Sequence, residues 1–498
     1  MLLWFVILYL MISVGIGLWA ATRVHSAKDF AVAGRSLPLP VVTATVFATW
    51  FGAEAIFGIP ATFVQEGLGG VVADPFGSSM CLILAGLFFS TQLYKLNILT
   101  LGDFYRMRYN RTVEVITTIC IVLSYLGWVA AQIKALGLIF NVVTDGAMSQ
   151  ETGMMLGAAI VLTYTTFGGM FSVAFLDFVQ MMVSMGGLLF IGWTISGMTG
   201  GVAPVIEQAS QAGKLEFFPK GGDPWLWVTF LGAWLTMMLG SMPQQDVFQR
   251  ITSAKSAKVA IWGSVLGASI YFCFTFVPMF IAYAATLLEP DKFAKIIAED
   301  SQLVLPTLVM QSMPLAAQVL FFGAVLSAIM SCSSATLLAP SVSFAENVVK
   351  GFFPHMGDHT FLKVMRGCLV GFTLLVLTFA LNSESSIFEM VEQAYKVTLA
   401  GAFVPLVFGA FWKRATTQGA LMATIGGLLS WILIEVMIGE ERSLIPPQLI
   451  GLAVSAVGMV AGSLLPQWVG HKQPHPAGFL HEHAATTHTA APHHPHHH

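Results

Sequence analysis

The sequence predicts an all-α integral membrane protein with about 13 transmembrane helices. Of its 498 residues, 56% are hydrophobic and only 10% are charged, which is too few charges to cover a water-soluble globule of this size. Long apolar runs recur along the chain without the alternation of barrel strands, and such runs satisfy their backbone groups in lipid as helices. We therefore expect the lipid bilayer to surround most of the molecule.

Thirteen apolar runs are long enough to cross the hydrocarbon, which takes about 20 residues of helix. The first run carries no basic residue before Arg23 and resembles a membrane span more than a cleavable signal. The predicted spans lie near 2–21, 40–64, 72–94, 113–143, 153–170, 175–197, 224–243, 259–287, 313–345, 364–382, 386–411, 417–438 and 446–465.

The loop charges predict the orientation, because Lys and Arg are retained on the cytoplasmic side. With the N-terminus outside, 16 of the 23 Lys and Arg lie in cytoplasmic loops, five lie outside, and Lys134 and Lys396 fall within spans. We therefore predict a multi-pass protein of the cell (inner) membrane with a cytoplasmic C-terminus. Residues 466–498 hold ten of the 13 histidines, and this His-rich tail is predicted to be disordered.

Composition also excludes several function classes. The balance of 23 Lys and Arg against 26 Asp and Glu offers no basic surface for nucleic acid. The five cysteines lie in apolar stretches without a C-x-x-C pair, which argues against a disulfide framework or a zinc site. The spans contain no nucleophile-and-base cluster, so we expect neither an enzyme nor an organic cofactor. The oligomeric state is not predicted.

Two of the spans are predicted to be broken. The second contains Gly52 and Pro60, and the seventh contains Gly240 and Pro243; both residue types weaken a helix. Five spans separate the two, which is the spacing of an inverted repeat in which spans two to six match spans seven to eleven. The prediction is a ten-helix (5+5) core covering about residues 40–411, with a binding site at the midplane between the two breaks.

Charged residues within membrane spans are costly and are therefore candidates for function. Glu54 lies in the broken second span, Lys134 in the fourth and Asp177 early in the sixth. Asp74 lies at the outer end of the third span, either as a solute-binding residue or as a solvated helix start. Glu54 and Asp74 are predicted to contact the solute, and Asp177 and Lys134 to take part in cation coupling.

Five segments of the chain resemble motifs of the sodium:solute symporter family. They follow the family's order over most of the chain. The segments are AGRSLPLP (33–40), LGDFYRMRY (101–109), YTTFGGMFSVAFLDFVQ (164–180), MPQQDVFQR (242–250) and LSAIMSCSSATLLAPSVSFAEN (326–347). The resemblance implies that residues 1–465 form a transporter domain with the ten-helix inverted-repeat core and extra helices at each end.

The resemblance also implies a sodium site between the first and eighth core helices. By motif position its ligands are the backbone carbonyls of Ala48, Phe51 and Ala328 and the side chains of Ser331 and Cys332. Unwound carbonyls and hydroxyls suit Na⁺ because they supply oxygens without a full buried charge.

This chain departs from the family pattern at Cys332, because sulfur is a soft ligand that suits Na⁺ poorly. Asp177 matches a family aspartate linked to cation coupling. The resemblance implies Na⁺ as the coupling ion. Because of the departure at Cys332, H⁺ carried by Asp177, Glu54 or Lys134 is the alternative.

Within the family, the chain is most similar to the high-affinity choline transporter-like branch. ATWFGAEA around Trp50 and LGWVAAQIKALG around Trp128 carry the likeness, and these two match tryptophans of the branch's aromatic cage for a quaternary ammonium. Gln244 stands where the branch has a third cage tryptophan. The predicted solute is choline, another quaternary amine or an amino acid, and a solute-sensing module on the same scaffold is the alternative of another class.

Overall fold

The computed structural model describes residues 1–384 and 387–469, and the predicted tail therefore lies almost entirely outside the described residues. These residues form 22 α-helices. Within them there is no β-strand, and a single isolated bridge joins Leu37 to Ala254. The prediction of an all-α fold is confirmed.

Short 3₁₀ and π turns join several of the helices. In the first half of the chain the helices are α1 (Leu2–Ala20), α2 (Ala27–Val32), α3 (Leu39–Trp50), α4 (Ile59–Glu66), α5 (Ser78–Leu84), α6 (Ser90–Lys95), α7 (Leu101–Arg108), α8 (Arg111–Val143), α9 (Gln150–Met198), α10 (Val202–Gln211) and α11 (Pro224–Gly240). In the second half they are α12 (Gln245–Ser253), α13 (Ala257–Leu288), α14 (Pro290–Asp300), α15 (Val304–Ser312), α16 (Leu315–Phe344), α17 (Lys350–Phe352), α18 (Asp358–Asn382), α19 (Ile387–Gly401), α20 (Phe403–Phe411), α21 (Thr417–Met437) and α22 (Pro447–Leu464).

The described helices account for the predicted spans. Nine stretches are long and apolar enough to cross a membrane, and three bent helix pairs bring the number to 12. One of the nine, α9, has 49 residues and would be about 74 Å long at 1.5 Å per residue, more than twice a hydrocarbon core of about 30 Å. Counting α9 as two spans gives 13, with bounds close to those predicted.

Gly169 divides α9 into these two parts. Its φ of 52° and ψ of −136° are not helical, and a side chain is strained at such a positive φ. A Cβ at this position would also stand 2.5 Å from the Phe30 ring. Glycine is therefore required where α2 packs against this break.

The two predicted breaks are present, and the structure adds a third. The axis bends by 57° between α3 and the segment Glu54–Glu66, and by 44° between α11 and α12. Pro243 lies in the second break and has no N–H with which to continue the helix. The third bend, of 45°, separates α19 from α20 and is additional to the two predicted breaks.

The outer surface of the helical bundle is apolar, as contact with lipid requires. Trp193 is 74% exposed and Met437 is 79% exposed. In water such surfaces would be costly, whereas lipid tails solvate them. The polar and charged side chains discussed next lie instead in the interior.

Candidate functional site

The break after α3 packs directly against α16, the eighth core helix. A Cβ on Gly52 would stand 2.6 Å from Cys332 Cβ, 2.7 Å from Cys332 Sγ and 2.6 Å from Gln132 Oε1. Only a residue without a side chain allows so close an approach. The structure therefore brings the broken helix against Cys332, one of the predicted sodium ligands.

The other predicted ligands are also buried in this region. Ala48 and Ala328 are each 3% exposed, and Phe51 and Ser331 are fully buried. Phe51 has a φ of −87° and a ψ of 76°, so the helix ends there. The Ser331 hydroxyl donates a hydrogen bond to Oε1 of Gln180 on α9, which ties the eighth core helix to a neighbouring span.

Asp177 lies on α9, three residues before Gln180, and is fully buried. Its Oδ2 accepts a hydrogen bond of 2.6 Å from the Thr45 hydroxyl of α3. Among the described residues its Oδ1 and the Gln180 amide nitrogen are buried without a hydrogen-bond partner, and the buried Arg250 guanidinium is close enough to interact with the carboxylate. A carboxylate oxygen with free lone pairs thus lies between the two helices that carry the predicted cation ligands.

Trp50 and Trp128 belong to a cluster of packed aromatic rings. Their ring centroids are 6.5 Å apart at 75°, and Trp128 also stacks on Tyr125 at 5.7 Å. Tyr271 meets Trp50 edge-on at 6.4 Å, and Tyr395 lies 5.5 Å from Trp128. We call these five residues the aromatic cluster. The structure therefore brings the two predicted cage tryptophans together.

Gln244 lies at the start of α12, in the break of the seventh span. Its Nε2 donates to the Thr398 hydroxyl at 3.0 Å and to the Ser124 hydroxyl at 3.3 Å. Ser124 lies one helical turn before Trp128 on α8, so Gln244 is held beside the aromatic cluster. The Gln244 amide therefore places a polar group next to the aromatic rings.

Glu54 follows the break of the first core helix and is 2% exposed. Its Oε2 accepts a hydrogen bond of 2.7 Å from Gln132 Nε2, and Gln132 Oε1 accepts one of 2.8 Å from the backbone N–H of Ala53. Gln132 therefore clamps both the broken backbone and the carboxylate.

Asp74 is also 2% exposed, so its interpretation as a solvated helix start is wrong. Its Oδ1 accepts hydrogen bonds from the Tyr271 hydroxyl at 2.5 Å and from the Ser78 hydroxyl at 2.7 Å. Because the Tyr271 ring also contacts Trp50, Asp74 is linked to the aromatic cluster through one side chain.

Lys134 lies apart from the other predicted residues. It is half-buried on α8, and its Nζ donates to the backbone carbonyl of Ser383 after α18. The structure therefore gives Lys134 a partner just after α18 and does not place it beside the two predicted breaks.

Two further charged residues, Asp246 and Arg250, are buried beside the aromatic cluster. Neither is among the site residues predicted from the sequence. Asp246 Oδ2 accepts a hydrogen bond of 2.8 Å from Trp50 Nε1, and Oδ1 accepts one from the Tyr125 hydroxyl. Arg250 Nε donates to the Thr49 hydroxyl at 2.9 Å. Both lie within the MPQQDVFQR motif but beyond residue 243, where the seventh span was predicted to end, so a search of the predicted spans for charges does not find them.

The aromatic cluster is closed in this structure. Trp50, Asp246 and Arg250 line a cavity of about 10 Å³, which is the size of one water. A larger cavity of about 560 Å³, lined by residues such as Phe63, Trp193 and Tyr283, lies among apolar side chains elsewhere. An organic solute can therefore enter the cluster only if its rings move apart.

Comparisons with known proteins agree on one family. The model of the sodium:solute symporter family matches residues 30–427. The human high affinity choline transporter 1 is 27% identical over 444 residues, covering 85% of this chain and 74% of the relative. The sodium/glucose cotransporter of Vibrio parahaemolyticus is 24% identical over 462 residues, covering 84% of this chain and 82% of the relative.

A solved structure supports the same fold. A substrate-bound, outward-open Na⁺-coupled sialic acid symporter superposes with a TM-score of 0.80 at 20% identity, covering 95% of this chain and 99% of that chain. The two relatives of this chain in sequence named above are transporters rather than enzymes. The family match covers well over half of the sequence, and this chain therefore belongs to the sodium:solute symporter family.

Proposed function

We propose that the protein is a secondary active transporter that carries a small organic solute across the membrane together with Na⁺. The supporting observation is the single break between Trp50 and Glu54. It packs against Cys332 on one side, and Trp50 lies in the aromatic cluster on the other. One interrupted helix thus contributes to both predicted sites.

In this proposal Na⁺ binds to the carbonyls of Ala48, Phe51 and Ala328 and to the Ser331 hydroxyl. Joining α3 to α16 in this way fixes the end of α3 and with it the position of Trp50. The solute then binds at the aromatic cluster, and closure follows. Coupling requires that each ligand bind one conformation better than the other, because equal affinities shift no population.

The candidate solutes are choline, another quaternary amine or an amino acid. A choline transporter among the relatives makes choline the first solute to test. The glucose cotransporter shows that membership of the family does not by itself fix the solute, so direct measurement must decide.

Proton coupling is the second candidate, and Cys332 is the observation that favours it. A fully buried cysteine stands at a predicted Na⁺ ligand position, and sulfur is a poor ligand for a hard cation. Asp177 and Glu54 are buried carboxylates on either side of the break and are the residues that would carry a proton in this alternative.

Uptake into proteoliposomes tests the proposal. The purified protein is reconstituted, and uptake of radiolabelled solutes is measured under an inward Na⁺ gradient, an inward H⁺ gradient, both gradients or neither. We expect accumulation above the external concentration only when the Na⁺ gradient is present. Accumulation driven by protons alone would mean that the coupling ion is H⁺ and not Na⁺. No accumulation under any gradient would favour the solute-sensing module.

Cys332→Ser is expected to strengthen the dependence on Na⁺. A hydroxyl oxygen would replace a sulfur at the break, and one added ligand contact of roughly 1 kcal/mol corresponds to an approximately fivefold lower Na⁺ concentration at half-maximal uptake. The exposed Cys273 supplies the control, since Cys273→Ser should leave the Na⁺ dependence unchanged. An unaltered Na⁺ dependence in Cys332→Ser would show that residue 332 is not a ligand.

A further inference from the structure

Three carboxylates lie around the aromatic cluster, and the buried cation beside them among the described residues, Arg250, interacts with both Asp246 and Asp177. Asp246, Glu54 and Asp74 are each at most 2% exposed, and their hydrogen bonds come from neutral donors. None of them takes part in an ion pair among the described residues. With Asp177 the buried carboxylates number four against the one guanidinium of Arg250, and an excess of buried negative charge within a membrane is costly. The interior of this site therefore favours a positively charged ligand.

Asp246 is the carboxylate best placed to contact such a ligand. Trp50 Nε1 occupies one of its oxygens and the Tyr125 hydroxyl the other, whereas a carboxylate offers about four acceptor positions. The residue lies in the first turn of α12, where the helix dipole helps to stabilise a negative charge. Asp246 thus remains available as an acceptor between two rings of the aromatic cluster.

Trp128 supplies an independent sign of a ligand. Its ring is 1% exposed, yet its Nε1–H has no hydrogen-bond partner among the residues that the structure describes. This donor is close enough to the Glu54 carboxylate to interact with it, but the two groups do not reach hydrogen-bond geometry. A buried donor without an acceptor is unfavourable, and a ligand oxygen would satisfy it.

We propose that Asp246 binds the cationic nitrogen of the solute through N–H hydrogen bonds while Trp128 donates to an oxygen of the same molecule. The solute class is then a protonated amine that carries a hydrogen-bond acceptor, such as an amino alcohol. This inference rests on the proposed function and narrows its solute. A quaternary ammonium has no N–H to donate and depends on aromatic faces, and Gln244 takes the place of one such face.

Binding to the purified protein across an N-methylation series tests the inference. Titration calorimetry compares ethanolamine, its N-methyl and N,N-dimethyl derivatives, and choline, with 3,3-dimethylbutan-1-ol as the neutral analogue. We expect affinity to fall with each methyl group and the neutral analogue not to bind. Asp246→Asn should weaken ethanolamine binding by about 10–100-fold, since hydrogen bonds to charged groups contribute roughly 1.5–3 kcal/mol, while choline binding changes far less.

Gln244→Trp provides a second variant that leaves Asp246 in place. It restores a third aromatic face and should shift the preference toward choline. Asp291→Asn, the same change at an exposed residue on α14, should alter no affinity. Elution volume and melting temperature establish that each variant is folded.

The proposal is overturned if choline binds tightest to the wild type, if the neutral analogue binds as well as the amines, if no amine binds, or if Asp246→Asn weakens every member equally. Because this binding assay uses no gradient, it separates the inference from the proposed function. Binding in the expected order without accumulation in proteoliposomes would contradict symport and leave the role of Asp246 standing.

Discussion

Gly52→Ala should reduce Na⁺-driven uptake severalfold or more while the protein remains folded. The added Cβ would stand 2.6 Å from Cys332 Cβ and 2.6 Å from Gln132 Oε1, and both residues are fully buried, so neither can move aside freely. Overpacking of this kind costs about 1–3 kcal/mol, equivalent to roughly a 5–150-fold loss. The measurement is the initial uptake rate in proteoliposomes, with Gly186→Ala, where a Cβ meets nothing within 4 Å, as the control.

A second substitution tests whether the clash itself is the cause. Cys332→Gly removes both atoms that oppose the new Cβ on α16, so the double variant Gly52→Ala/Cys332→Gly should recover part of the lost uptake. Equal activity of Gly52→Ala and the wild type would mean that α3 and α16 do not meet at this break. No recovery in the double variant would place the obstruction at Gln132.

Asp177→Asn should lower the affinity for Na⁺ on the order of 10–100-fold, because unit charges in a partly buried site interact by a few kcal/mol. The substitution keeps the size of the side chain and an acceptor for the Thr45 hydroxyl, which bonds Oδ2 at 2.6 Å. It removes the charge that lies between α3 and α16. The readout is the Na⁺ concentration that gives half-maximal uptake.

High Na⁺ should restore the uptake of Asp177→Asn, because the cation ligands themselves are unchanged. Glu151→Gln makes the same chemical change at an exposed residue on the same helix and should have no effect. If the Na⁺ dependence of Asp177→Asn matches that of the wild type, Asp177 takes no part in coupling to Na⁺.

Much of the fold could be predicted from the sequence because its determinants are local. The length of an apolar run fixes whether a helix can span the hydrocarbon, and Gly and Pro mark where a helix is weak. These features predicted the spans and the breaks at Gly52 and Pro243. The bend between α19 and α20 was missed, although Gly401 and Pro405 flank it, because both residue types are also common in straight membrane helices.

The contacts of individual side chains could be predicted less well, because their partners are distant in sequence. Lys134 donates to the carbonyl of Ser383, 249 residues away, and no local pattern indicates this pairing. The position of Asp74 at the end of a predicted span is typical of a solvated residue, but the hydroxyl of Tyr271, 197 residues away, donates a hydrogen bond to it in the interior. Asp246 was missed for another reason: the apolar run of the seventh span ends at residue 243, whereas the structure continues the broken span through α12 (Gln245–Ser253).

The family resemblance contributed what neither composition nor periodicity could. It aligned Trp50, Trp128 and Gln244, which the structure brings to one place. It also aligned Cys332 with the first break, and the contact with Gly52 agrees. The roles of these residues in binding Na⁺ and solute remain proposals.

The most direct test of cation–solute coupling is the reciprocity of their binding. Na⁺ affinity of the purified protein is measured by scintillation proximity with and without a saturating amine of the series, and the amine affinity is measured with and without Na⁺. Coupled binding predicts that each ligand raises the affinity for the other by the same factor, on the order of 5–150-fold. A Na⁺ affinity that the solute leaves unchanged would contradict the account.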